Sequence, residues 1–100
     1  MRLTLDQQAA ILTAATETFG AAAAVWLFGS RADDSKRGGD IDLLVRPGQD
    51  ATDRLFDRKV RMLTLLERLL GERKVDVVVE APGDTRPIVT IAHATGVQIK

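Results

Sequence analysis

The sequence predicts an α/β domain of the α+β kind, a small mixed sheet flanked by helices. Three observations carry that expectation. Stretches of helical period (residues 4–19, 52–70 and 85–94) alternate with short apolar runs (25–28, 40–46 and 74–80). Glycine or proline stands at most of the boundaries between them. The 100 residues suit one domain with one core, and the 45% hydrophobic and 28% charged content is ordinary for a globular protein.

The first helix is expected over residues 4–19, where Leu5, Ala9, Leu12, Thr16 and Phe19 recur on one face. Thr4 followed by Gln7 has the spacing of a capping box, and Gly20 stands where a helix stops. Val25 to Phe28 is a buried strand. Gly29-Ser30 turns the chain, with room for one helical turn before the polar loop that ends in Gly38-Gly39. Asp40 to Arg46 is the second strand, ended by Pro47-Gly48. A second helix from about Thr52 to Leu70 would bury Phe56, Val60, Leu63, Leu66 and Leu70, leaving Asp57, Arg58, Arg61 and Arg68 in solvent. Lys74 to Glu80 is a third strand. Thr85 is placed to cap a last helix with Pro87 in its first turn, Gly96 ends it, and Val97-Gln98-Ile99 makes a short edge strand.

Composition excludes several functions. The 14 basic and 14 acidic residues cancel, which argues against a general nucleic-acid or membrane binder. No apolar run reaches the length of a membrane span and no secretory signal pattern opens the chain, so a cytoplasmic location is expected. Without cysteine there is neither a disulfide nor a thiolate metal site.

Chemistry concentrates around Gly29-Ser30-Arg31 and the strand that follows. Asp40 and Asp42 alternate onto one face of that strand, close enough to share one small volume. Such a pair repels itself and calls for a hard divalent cation, Mg²⁺ by preference. Gly29 lets a ligand approach the backbone, and Ser30 adds a hydroxyl and an N–H suited to phosphate. Asp76 interrupts an apolar strand, where an unpaired buried carboxylate would cost several kcal/mol. If its strand neighbours the first acidic strand, three carboxylates converge, the layout for phosphoryl transfer with two Mg²⁺ ions. Taken alone, Gly29-Ser30 reads as an ordinary turn, and the lesser alternative for Asp76 is a pair with a nearby arginine or lysine. Arg31 is a candidate contact to the phosphates, while Lys36 and Arg37 read equally well as solvated charges. His93 and Trp26 read as structural residues.

Gly29-Ser30, nine residues, Asp40-Ile41-Asp42, then Asp76 in a later strand: this arrangement resembles the DNA polymerase β-type nucleotidyltransferases. Its likeness is greatest to their small minimal nucleotidyltransferase (MNT) domains, and it covers nearly the whole chain. Relatives often have ten residues where this chain has nine. The resemblance implies a single minimal nucleotidyltransferase domain over residues 1–100, with Asp40, Asp42 and Asp76 as catalytic metal ligands. It implies that Gly29 and Ser30 hold the phosphates of the nucleotide, ATP being the expected substrate. It further implies a helical partner of the HEPN class, whose tyrosine would receive AMP in a toxin–antitoxin pair. The rival expectation is a non-catalytic antitoxin that neutralises that partner by binding alone. The edge strand near residue 97 leaves self-association open.

Overall fold

The computed structural model describes residues 2–32 and 39–100, so the expectations for Lys36 and Arg37 lie outside the described residues. Among the described residues, three α-helices and four strands follow in the order α1 (Leu5–Phe19), β1 (Ala24–Phe28), β2 (Ile41–Arg46), α2 (Leu55–Leu70), β3 (Val75–Val79), α3 (Pro87–Thr95) and β4 (Val97–Gln98). The strands form one sheet in the order β3-β2-β1-β4. β1 runs antiparallel to β2 and β4, while β2 and β3 are parallel, so the sheet is mixed as expected.

Local chemistry sets the ends of α1. The Thr4 hydroxyl accepts from the Gln7 N–H and the Gln7 side chain accepts from the Thr4 N–H, each at 3.0 Å, completing the capping box. Gly20 closes the helix at φ +96°, its N–H donating to the Thr16 carbonyl at 3.1 Å.

Alternation along the strands divides the core in two. Val25, Leu27, Ile41, Leu43, Val45 and Val77 face α1 and α2, where they meet Ile11, Phe19, Met62 and Leu66. Trp26, Phe28 and Leu44 face the other way and are covered by Val89 and Ala92 of α3. The face below α1 and α2 is a closed core. The face below α3 is only partly covered, and that is where the acids lie.

The second helix departs from expectation in three ways. It starts at Leu55, because Gln49–Ala51 forms a 3₁₀ turn and Arg54 takes a left-handed conformation at φ +51°. Its buried stripe is rotated: Met62 and Leu66 are buried with Leu55, Leu63, Leu65 and Leu70 packed beside them. Phe56 and Val60, expected inside, are 76% and 45% exposed. Arg58, expected in solvent, instead reaches the Thr18 carbonyl at 2.9 Å and the Asp53 carboxylate at 2.9 Å, tying α2 to the end of α1.

The last helix also starts differently. Thr85 caps nothing; Arg86 is the N-cap residue, with no side-chain cap bond. Asp84 shapes the turn instead, accepting from the N–H groups of Ala81 and Arg86 and pairing with the Arg86 guanidinium at 2.7 Å. Those bonds, the guanidinium first, hold its carboxyl well below the usual carboxylate range. Among the described residues no helix is long and apolar enough to cross a membrane.

Candidate functional site

Register brings the predicted residues into one row. Phe28 of β1 pairs with Asp42 of β2, and Asp42 pairs with Asp76 of β3. All three lie on the partly covered face, with Gly29 next along the chain from Phe28. Across the sheet the order is therefore Gly29-Ser30, then Asp42, then Asp76 on the edge strand.

Gly29 and Asp42 are fitted to each other. Gly29 sits at φ +74°, and a Cβ placed on it would run into the Asp42 carboxylate. Only glycine has both the left-handed conformation and the bare Cα that this crossing requires. The chain continues as a 3₁₀ turn over Gly29–Arg31, closed by the Ala32 N–H on the Gly29 carbonyl at 3.2 Å. A three-residue turn is too short to supply the dipole of a full helix, so its value to a ligand lies in close backbone approach.

The electrostatics are those of crowded acids. Asp42 is half-buried and its carboxyl is raised above the ordinary value, first by burial, then by the charges of Asp76 and Asp40, against the opposing effect of Lys74. Asp40 lies just before β2, exposed, with its carboxylate 3.6 Å from the Lys74 ammonium. Asp76 is exposed on β3. Among the described residues, no three His, Cys, Asp or Glu side chains gather closely enough to hold a metal ion together. The carboxylate row has the donor type of a hard divalent cation, and its self-repulsion is the charge such an ion would relieve.

Arg31 is engaged elsewhere. Its guanidinium donates to the carbonyls of Arg2 at 2.9 Å and Gly39 at 3.0 Å. Arg2 returns the clamp, its N–H donating to the Arg31 carbonyl and its guanidinium to that of Ser30. The two arginines thus hold the Gly29–Arg31 turn from below.

Two features escaped the sequence reading. Lys74 supplies a counter-charge at the foot of the acid row; a lysine opening a strand two residues before an aspartate was the available signal. At the opposite end of the same face, Glu80 bonds His93 at 2.5 Å and lies 3.5 Å from Arg46. His93 meets Trp26 edge-on at 4.4 Å between centroids, and Arg46 covers the indole at 4.9 Å. That cluster anchors α3, in keeping with the structural reading of His93 and Trp26.

The family model described as a nucleotidyltransferase domain matches residues 9–95. No curated protein matches the chain.

Proposed function

The chain belongs to the nucleotidyltransferase domain family, and from that premise we propose that it moves AMP from ATP to a hydroxyl of a protein partner. Its mixed sheet with three helices is consistent with a polymerase β-like nucleotidyltransferase domain. One observation supports the reading most: Asp42 stands between the left-handed Gly29 and the edge-strand Asp76, on an uncovered stretch of sheet.

In this reading Gly29 and Ser30 receive the phosphates, and Asp42 and Asp76 are the carboxylates nearest the reacting phosphorus, with Asp40 beside them. Mg²⁺ would be held by these acids and, when bound, would offset charge on the phosphates and favour ionisation of the attacking hydroxyl. The protein's part is positioning: Gly29 admits the triphosphate close to the backbone, and the Arg2–Arg31 clamp fixes the turn. Arg31 acts on the phosphates through that turn. The partner we favour is a HEPN-type helical protein in a cytoplasmic toxin–antitoxin pair, on the strength of the sequence resemblance.

A second reading, neutralisation of that partner by binding alone, has one observation in its favour. Asp40 is drawn to Lys74, and no three acids converge among the described residues. ATP labelled at the α- or the γ-phosphate separates the two. The protein is incubated with Mg²⁺ and the product of the adjacent gene. Label transferred from the α position, and lost in Asp42→Asn, supports nucleotidyl transfer. A stable complex without label supports binding alone, and label from the γ position alone overturns both.

A further inference from the structure

We propose that the acceptor protein docks as an added strand on the outer edge of β3, which presents its hydroxyl opposite Asp76. The inference rests on the transfer reading above. β3 is an edge strand. The Ile41 N–H donates to the Lys74 carbonyl and the Glu80 N–H to the Val45 carbonyl, which fixes the phase of the ladder. Even-numbered residues of β3 therefore turn their backbone groups to β2, and Val75, Val77 and Val79 turn theirs outward. The Val79 carbonyl is taken by the Arg86 guanidinium at 2.7 Å, which confirms the phase. No described group bonds the backbone of Val75 or Val77 on that side. Val77 is 3% exposed, so this edge is unpaired rather than open to solvent, and an unpaired edge binds extended chains through their main-chain groups.

A second feature lies over the same edge. Arg58 binds the end of α1, and the opposite flank of α2, with Phe56 and Leu63, lies beside β3. Leu55, Phe56 and Lys59 line a depression of about 610 Å³ with Val78, Val79 and the turn of residues 81–86. Leu63 and Leu66 line another of about 370 Å³ with Lys74 and Val75. A strand added here has alternating demands. The residue opposite Asp76 points onto the acid row and carries the hydroxyl. Its two neighbours point under Phe56 and Leu63 and are apolar. The residue opposite Lys74 is acidic. The order across the sheet agrees, because Gly29-Ser30 leaves the β3 side of Asp42 for the acceptor. In the transfer the hydroxyl oxygen bonds to the α-phosphorus, the bond from that phosphorus to the β-phosphate oxygen breaks, pyrophosphate leaves, and the hydroxyl proton passes to water.

The test uses the peptide acetyl-Glu-Val-Tyr-Val-Glu-amide and its phenylalanine counterpart. Both peptides are expected to slow exchange of the Val75 and Val77 amides by tenfold or more, and only the tyrosine peptide to take label from the α-phosphate of ATP. Phe56→Asp, a surface change outside the acid row, is expected to raise the peptide KM about tenfold while the KM for ATP stays within twofold. Label transfer with the edge amides unprotected and Phe56→Asp indifferent overturns the docking surface. So does a dimer of the free protein that Val75→Pro dissolves, since a second copy would then occupy the edge. Edge protection by both peptides without label on either supports the docking surface and overturns the transfer reading beneath it.

Discussion

Asp42 and Asp76 stand directly opposite one another on adjacent parallel strands, pointing from the same face. Neighbouring strands are about 4.8 Å apart, so the two carboxylates repel at short range. Burial first, and this repulsion second, make Asp42 bind its proton more tightly in the folded chain than its ordinary value of 3.8 allows. Because the folded pKa is the higher one, the linked penalty is absent below the unfolded value. It grows as pH rises through the window between the two and persists above it. Asp42→Asn should therefore melt above the wild type at neutral pH without divalent ions, and the gap should close as pH falls below about 4. Thermal melts across pH 3–8 check this, and a variant that melts lower throughout would contradict it.

Divalent ions should reverse that penalty. Mg²⁺ at a hundredfold excess over its dissociation constant should stabilise the wild type by about 2.7 kcal/mol. The gain should shrink severely in Asp42→Asn and in Asp76→Asn, and return to zero with chelator. Melts with and without Mg²⁺ read this without any enzyme assay. An equal gain in all three proteins would place the ion elsewhere.

Gly29→Ala tests the crossing above Asp42. The left-handed conformation alone costs a side chain about 1–2 kcal/mol, and the Asp42 carboxylate occupies the space the Cβ needs. A lower urea midpoint and loss of transfer are expected together. An unchanged midpoint would mean that the turn is free to move.

The phase of α2 can be read from two substitutions. Leu66 is 1% exposed, so Leu66→Ala should cost about 2–5 kcal/mol. Phe56→Ser, at a position 76% exposed, should stay within about 0.5 kcal/mol. Equal losses would restore the stripe through Phe56.

Removing the His93 ring should loosen α3. An aromatic pair is worth about 0.5–1.5 kcal/mol beyond its buried area, so His93→Ala should destabilise by about 1 kcal/mol. Trp26 is the only tryptophan, and its fluorescence should report the change directly.

Much of the fold could be read from local chemistry. Thr4, Gln7 and Gly20 mark α1 because caps act within one turn, and the glycine and proline boundaries isolate the strands. The acid row was legible because strand alternation and a lone aspartate in a valine run are both local patterns. The phase of α2 was not. Apolar residues at 55, 56, 60, 62, 63, 65 and 66 offer two overlapping stripes of the same period, and contact with α1 and β3 chooses between them. Arg58 and Lys74 were hidden for the same reason: whether a charge finds a partner depends on which elements become neighbours. The role of Arg31 turned on Arg2, a contact between residues 29 positions apart.

The parallel pairing of β2 with β3 also carries a kinetic meaning. Two antiparallel strands can zip from their turn, but the chain between Asp42 and Asp76 contains all of α2, and that crossover must close before the strands can meet. Contacts of such long range form slowly. The two acids therefore come together only when that long-range pairing forms. Until that contact forms, Asp42 lacks its neighbour across the sheet, and the row of carboxylates that would hold a cation is incomplete.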